Sequence, residues 1–285
     1  MLNLQHVNSF LAIVDNRGVR PAARTLGLSP STIIEHLRQL ETCFAALLVH
    51  RGRGVPELTH QGRALLPLAR ALIDTANRAK AVVQGAPLRL AAATNVGAYM
   101  LNEPVASFQS GQAERIEIWI GGNPAVADRL ASGLADIAMM EWWDQRPGFD
   151  ATLWRRESLV LIVHPGHRLA GQRSVALHEL AQERFLGGER GTGTGAQLRR
   201  QLGAAIDRLT IVDGYGSTEA VKRAVRAGLG VSIVLAASIA DEVASGQLQA
   251  LPIEDARLEK DISLITPKQL PPDSAAARFA RHVLA

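Results

Sequence analysis

The stretch Ala22–Leu40 constrains this chain most, because it has the spacing of two short helices joined by a tight turn. Gly27 can adopt the positive φ that ends a helix. Ser29 is a good N-cap for a second helix, and Pro30 suits the first helical position, where no backbone N–H is needed. The stretch therefore predicts a helix-turn-helix, although an ordinary helical hairpin has a similar pattern.

The second helix of this stretch has an apolar stripe formed by Ile33, Leu37 and Leu40. This stripe predicts a buried face and leaves polar residues on the outer face. A polar outer face is typical of a DNA-reading helix that enters the major groove. For the histidine of this face, simple exposure to solvent is the alternative to a phosphate contact. The candidate DNA-binding residues of this helix are Ser31, Thr32, Glu35, His36 and Arg38.

Basic charge is concentrated around the predicted helix-turn-helix. Residues 1–87 contain 10 of the 31 Lys and Arg residues but only 5 of the 27 Asp and Glu residues. The remaining 21 basic and 22 acidic residues nearly balance. This distribution fits an N-terminal module that binds DNA phosphates.

The flanking segments complete a DNA-binding domain. Leu4–Val14 has the apolar spacing of a supporting helix. Residues 51–59 contain two glycines and a proline among alternating residues, which predicts a short hairpin, or wing. Arg51 and Arg53 on this wing are expected to face the DNA backbone or the minor groove, with a solvated basic loop as the alternative.

A long helix is predicted from Gln61 to Gln84, with Thr59 as its N-cap. Its length, roughly 36 Å at 1.5 Å per residue, suits a connector between domains. Pro67 is expected to bend it. Its apolar face needs a partner, most simply the same helix of a second subunit, so the sequence predicts a homo-oligomer.

After residue 87, strand-like and helix-like segments alternate, which predicts an α/β domain with a mostly parallel sheet. Two halves of similar size predict a cleft between them, where strand ends and helix N-termini meet. The predicted strands are 88–92, 116–120, 135–140, 159–163, 184–186, 209–212, 231–234 and 262–265, and the predicted helices are 99–109, 124–132, 177–182, 195–202, 217–227, a helix up to 244, and 273–284.

Composition and spacing argue against several classes of protein. The single cysteine, Cys43, allows no intrachain disulfide and indicates a reducing compartment; we expect its thiol to be packed. The N-terminal residues lack the pattern of a signal peptide and no apolar run has the length of a membrane span, so we expect a soluble cytoplasmic protein without membrane association. We expect neither enzymatic activity nor a cofactor, because no catalytic constellation is visible. The glycine-rich stretch 191–195 lacks the spacing of a nucleotide-binding loop, and His164 and His167 lack further metal ligands.

The chain resembles the LysR-type transcriptional regulators over essentially its full length. Segments 133–138 (Gly-Leu-Ala-Asp-Ile-Ala) and 221–231 resemble elements of the family's C-terminal domain. Glu35 departs from the family, which often has a basic or amide residue there. A carboxylate can accept a hydrogen bond from cytosine N4, but it repels phosphate. In the N-terminal part, the residues at the family's spacing are Ala22, Ala23, Ser29, Leu40, Glu41, Arg51, Leu58, Thr59 and Gly62.

This resemblance implies an α/β multidomain fold. It would comprise a winged helix-turn-helix domain at 1–58, a linker and dimerisation helix at 59–87, and a periplasmic-binding-protein-like effector domain at 88–285. The effector domain would have two subdomains, with 88–162 and 265–285 in subdomain I and 163–264 in subdomain II.

The implied function is transcriptional regulation by a homodimer or homotetramer. Its partners would be a double-stranded DNA operator, a small-molecule effector in the C-terminal cleft, and RNA polymerase. The alternatives are a cytoplasmic solute-binding protein, or a small-molecule enzyme with an α/β core and no operator-specific DNA function.

The effector domain looks most like the branch of the family that regulates CO2 fixation and sulfur assimilation, on the stretches 94–99, 121–123, 140–141, 190–194 and 216–220. In the resembling fold, polar stretches would converge on the cleft. Their hydroxyls and backbone N–H groups at helix N-termini favour an anion. The effector-binding residues implied in this way are Thr94, Asn95, Asn123, Glu141, Arg190, Thr192, Gly193, Thr194, Ser217 and Thr218.

Overall fold

The computed structural model of the chain describes residues 1–50, 56–111, 114–188 and 193–285. The chain folds into two compact units, Met1–Ala86 with Ser132–Leu134, and Pro87–Ala131 with Ala135–Ala285. None of the helices within these described ranges is long and apolar enough to cross a membrane. Four residues predicted to bind DNA or effector lie outside the described residues: Arg51, Arg53, Arg190 and Thr192.

The first unit begins with the predicted helix-turn-helix, formed by α1 Leu4–Asp15, α2 Val19–Leu26 and α3 Pro30–Phe44. Gly27 ends α2 with a φ of 65°, a left-handed conformation that glycine adopts readily. The Ser29 hydroxyl accepts a hydrogen bond of 3.1 Å from the Thr32 N–H and so caps α3. The predicted turn and cap are both confirmed.

The core of this unit is formed by apolar faces of its helices. Phe10 of α1, Ala22 of α2 and Ile33 and Leu40 of α3 are fully buried or nearly so. Leu40 is the last residue of α3 that is buried, so Cys43 lies beyond the core and is exposed. The prediction of a packed thiol is therefore wrong.

The connection from α3 to the long helix includes the predicted wing at 51–59, of which residues 51–55 lie outside the described part of the chain. Val49 and Leu58 form an antiparallel bridge. The Thr59 hydroxyl then caps α4, His60–Val83, by accepting a hydrogen bond of 3.0 Å from the Gly62 N–H. Glycine is required at position 62, because a Cβ there would lie 2.0 Å from the carbonyl oxygen of Leu48. The helix continues through its internal proline.

The second unit is built on a mixed sheet. The strand order is β2-β1-β3-β9-β4-β7, with β8 also paired to β4, and β5 and β6 pair separately. β1 is parallel to β2 and β3, whereas β9 is antiparallel to β3 and β4. The sheet is mixed rather than mostly parallel because β9 returns from late in the chain to lie between β3 and β4. The strands are β1 Leu88–Ala93, β2 Ile116–Gly121, β3 Ile137–Met140, β4 Phe149–Val163, β5 Arg184–Leu186, β6 Thr210–Val212, β7 Ser232–Leu235, β8 Gln249–Leu251 and β9 Glu259–Pro267.

Helices cover the strands of this unit. The helix predicted at 99–109 is α6, which begins at Asn102, and a break at residues 100–101 separates it from α5, which was not predicted. Pro104 explains the break, because its ring would collide with the carbonyl group of Met100 in one continuous helix. The helices are α5 Thr94–Tyr99, α6 Asn102–Gly111, α7 Asn123–Ala131, α8 Gly193–Leu202, α9 Thr218–Arg226, α10 Ala240–Ala244 and α11 Ala275–Leu284, with 3₁₀-helices at Leu177–Gln182, Gly203–Arg208 and Ala236–Ser238.

The long strands β4 and β9 connect the two halves of the second unit. β4 pairs with β9 up to Ser158, and with β7 and β8 from Leu159 onward. The predicted strand 159–163 is only the last part of β4; the earlier part is mostly exposed. The predicted subdomain boundaries after residues 162 and 264 fall inside β4 and β9.

Candidate functional site

Three hydroxyl groups cluster at the start of the predicted reading helix, α3. The Ser29 hydroxyl lies 2.7 Å from the Ser31 hydroxyl and 2.8 Å from the Thr32 hydroxyl. All three residues precede or begin the helix, so backbone N–H groups of its first turn lie beside them. The two candidate DNA-binding hydroxyls therefore belong to the cap of α3.

Glu35 is held by its own helix. The Arg38 guanidinium donates hydrogen bonds of 2.9 and 2.7 Å to its carboxylate, and the Gln39 amide donates one of 2.7 Å. The hydrogen bonds from Arg38 and then Gln39 lower the pKa of Glu35 to about 2. Arg38 and Glu35 neutralise each other at close range. The Glu35 carboxylate, which departs from the family pattern, is therefore partly screened from DNA.

His36 faces α1 rather than solvent alone. Its Nδ1 lies 2.8 Å from the hydroxyl of the buried Ser9. Its ring lies against that of His6, with 4.7 Å between the ring centroids. Sequence reasoning missed His6, because this contact joins two helices that are separated along the chain.

A cleft of about 250 Å³ lies in the second unit. The structure brings eight of the ten predicted effector-binding residues to its walls; the other two lie outside the described residues. The predicted residues that line the cleft are Thr94, Asn95, Asn123, Glu141, Gly193, Thr194, Ser217 and Thr218. Their binding role stays a prediction.

The helices α7, α8 and α9 all begin at this cleft. Asn123, Gly193 and Thr194 are first-turn residues of the first two helices, and Ser217 caps the third. The Ser217 hydroxyl accepts a hydrogen bond of 3.2 Å from the Ala220 N–H. A helix N-terminus carries roughly half a positive charge on its free N–H groups, so the cleft has a positive potential of backbone origin.

Asn123 positions one wall of the cleft. Its side-chain oxygen accepts a hydrogen bond of 3.1 Å from the Glu141 N–H, and its amide donates one of 2.5 Å to the Trp142 carbonyl group. Trp142 lines the cleft, whereas Trp143 packs edge-on against Phe149, with 5.8 Å between ring centroids. The amide that we predicted to bind effector thus holds the backbone that carries Glu141.

Sequence reasoning missed Lys260, which forms an ion pair with Glu141. The Lys260 side chain is only 2% exposed. A signal was available, because Lys260 lies on the same face of β9 as Ile262 and Leu264, which are buried. A lysine on a buried strand face requires a partner charge.

In the part of the chain that the structure describes, no group of three or more His, Cys, Asp or Glu side chains is arranged to hold a metal ion. The described residues of the cleft offer hydroxyls, amides, helix N-termini and one buried ion pair.

Comparison with known proteins assigns both units. The family profile described as "Bacterial regulatory helix-turn-helix protein, lysR family" matches residues 4–63. The profile described as "LysR substrate binding domain" matches residues 83–285. The first match lies in the first unit, and the second match spans the whole of the second unit.

Individual relatives agree. The chain is 40% identical over 196 residues to the protein PtxE of Stutzerimonas stutzeri, which covers 68% of this chain and 100% of the relative. It is 31% identical over 277 residues to the HTH-type transcriptional regulator CbbR of Rhizobium meliloti, covering 93% of this chain and 87% of the relative.

A solved structure of full-length CbnR complexed with its target DNA has the same fold. Its TM-score is 0.69 at 21% identity, and the match covers 99% of both chains. The regulatory domain of Synechocystis CcmR, solved in complex with 2-PG, matches 70% of this chain and 95% of its own, with a TM-score of 0.63 at 20% identity. This chain belongs to the LysR family of DNA-binding transcriptional regulators, with an N-terminal helix-turn-helix domain and a C-terminal effector-binding domain.

Proposed function

We propose that the effector of this regulator is a small anion that binds in the cleft of the second unit. The observation that carries the proposal is the convergence of the N-termini of α7, α8 and α9 on one cavity. Backbone N–H groups at helix N-termini bind anions without a cationic side chain. The hydroxyls of Thr94 and Thr194, which line the cleft, supply further donors.

The size of the cleft supports a small ligand. Sites for drug-sized ligands typically have about 300–1,000 Å³, and this cleft has about 250 Å³. That the regulatory domain of CcmR was solved with 2-PG supports a ligand role for the equivalent domain here.

The regulator acts, in this proposal, as a homodimer or homotetramer in the cytoplasm. The α3 residues Ser31, Thr32 and Arg38 contact the operator, and Arg51 and Arg53 contact the DNA backbone or minor groove. Effector binding changes the placement of the DNA-binding domains, and with it the access of RNA polymerase. Such coupling requires the anion to bind the two arrangements with different affinity.

A thermal-shift screen of the full chain tests the anion. Phosphate, sulfate, sulfite and small carboxylates would be compared at one ionic strength, because exposed charges respond to salt in general. We expect at least one anion to raise the melting temperature of the parent protein but not of a Thr94→Val, Thr194→Val double variant. Thr210→Val, an exposed threonine outside the cleft lining, is the matched control. Equal shifts in all three proteins, or none, would rule out the cleft as an anion site.

A DNA-binding experiment tests the regulation. Fluorescence anisotropy with labelled DNA from the upstream region of the chain's own gene would be measured with and without the anion found. We expect the double variant to bind this DNA like the parent protein but to lose the response to the anion.

A further inference from the structure

The Glu141 carboxylate is part of the cleft wall and has a fixed position. It follows β3 directly, and its backbone N–H is held by the Asn123 side chain at 3.1 Å. Its side chain is only 8% exposed, yet it lines the cleft. An ionised carboxylate accepts hydrogen bonds and donates none.

Lys260 compensates the charge of this carboxylate from behind. The Lys260 ammonium group is buried and contacts Glu141 Oε2. Burying either charge alone would be strongly unfavourable, so each stabilises the other in its place. The pair gives the cleft a hydrogen-bond acceptor without a net negative charge.

The pair lies next to the start of α8. A Cβ built on Gly193 would be 3.4 Å from Glu141 Oε2, 3.6 Å from Trp142 Nε1 and 3.7 Å from Lys260 Nζ. Because Gly193 has no side chain, the carboxylate borders the space beside the N–H groups of this helix. A ligand that binds those N–H groups must also meet an acceptor.

We infer that Glu141 makes the cleft selective for anions that carry an O–H donor. This inference rests on the proposed anion function. A monohydrogen oxyanion or a hydroxycarboxylate can donate its O–H to the carboxylate while its other oxygens accept from the helix N-termini. A fully deprotonated oxyanion such as sulfate leaves the carboxylate facing another acceptor. A site built to pair with a hydroxyl rejects an analogue that lacks it, because buried polar groups then stay unpaired.

Isothermal titration of the full chain with matched anion pairs tests this inference. The pairs are phosphate against sulfate and glycolate against acetate, at pH 7 and one ionic strength. In each pair only the first anion carries an O–H donor. We expect the parent protein to bind phosphate or glycolate at least tenfold more tightly than its counterpart. We expect Glu141→Gln to reduce that preference to less than about threefold, because the new amide can donate as well as accept.

Glu242→Gln is the matched control. Glu242 pairs with the buried Lys222 at 2.6 Å, and neither residue lines the cleft. This variant also removes one partner of a buried pair, and it should keep the parent's preference. If circular dichroism shows that Glu141→Gln does not fold, a Glu141→Gln, Lys260→Gln double variant removes both charges and should also lose the preference.

Two results would overturn the inference while leaving the anion function intact. One is equal affinity of the parent protein for both members of each pair that binds. The other is an unchanged preference in a folded Glu141 variant. Failure of all four anions to bind the parent protein would instead remove the proposed anion function, and the inference with it.

Discussion

The Thr218 hydroxyl donates a hydrogen bond of 2.8 Å to the side-chain oxygen of Asn95. This bond joins the first residue of α9 to α5. The Lys222 ammonium group of α9 also lies 5.0 Å from the ring centroid of Tyr99, the last residue of α5. Two side-chain contacts therefore tie together two helices that both line the cleft.

Thr218→Val removes the bond to Asn95 with little change in volume. We expect affinity for inorganic phosphate to fall roughly three- to tenfold, the value of one hydrogen bond. Isothermal titration measures it, with Thr210→Val as the matched control. A variant that binds like the parent would show that this bond has no part in the liganded cleft.

Gly62→Ala should destabilise the first unit. Its Cβ would meet the Leu48 carbonyl oxygen at 2.0 Å, so backbone must move, and overpacking of this kind costs about 1–3 kcal/mol. Far-UV circular dichroism during urea unfolding reports it. The four tryptophans, at positions 119, 142, 143 and 154, all lie in the second unit. The urea concentration at which their fluorescence changes should therefore be the same in the variant and the parent. Gly111→Ala, a helical glycine with no atom within 4 Å of the added Cβ, should not destabilise the chain.

Ser29→Ala removes the cap of the reading helix. We expect a loss of about 1 kcal/mol from the first unit and weaker DNA binding, because the first turn of α3 loses a hydrogen-bond partner. Ser29→Asn restores an N-cap acceptor and should recover the stability. If the alanine and asparagine variants unfold at the same urea concentration, the 3.1 Å bond to the Thr32 N–H contributes nothing measurable.

Glu35→Gln should increase affinity for DNA of any sequence. It releases Arg38 from a neutralising partner, so the slope of log K against log salt should steepen by up to about 0.9, the value of one phosphate contact. Because Arg38 and Gln39 lower the pKa of Glu35 to about 2, the parent protein should show no titration of this group in DNA binding between pH 5 and 8. Asp74→Asn changes net charge equally elsewhere on the first unit and should not steepen the slope as much.

His6 should make the first unit less stable in mild acid. Burial, and then the neighbouring His36, lower its pKa in the folded protein from the ordinary value of 6.5. The unfolded chain therefore binds more protons below about pH 6.5, and stability falls as the pH drops through this range. Urea unfolding followed by circular dichroism at pH 7.5 and 5.5 should show a smaller loss for His6→Gln than for the parent. The exposed His60→Gln should lose as much as the parent; an equal loss in both variants would contradict the prediction.

Local signals predicted the helix-turn-helix well. The turn at Gly27, the caps at Ser29 and Thr59 and the stripe through Ile33 and Leu40 all appear in the structure. The turn and the caps are satisfied by residues only a few positions away, and the stripe has the spacing of one helix face, so the sequence displays each of them directly. The effect of Pro104 on the start of α6 was equally local, yet the prediction began this helix three residues early and missed α5.

The sequence by itself determined most of the helices, caps and strands, and its family motifs indicated which polar stretches meet at the cleft. The tertiary structure decided which side chains pair there. Lys260 and Glu141 are 119 residues apart, and their contact exists only because β9 returns beside β3. The exposed first part of β4 becomes a strand for the same reason, since β9 supplies its hydrogen-bond partners. Contacts of this kind have no short-range signature, because the energy that fixes them comes from chain segments brought together only by the folded sheet.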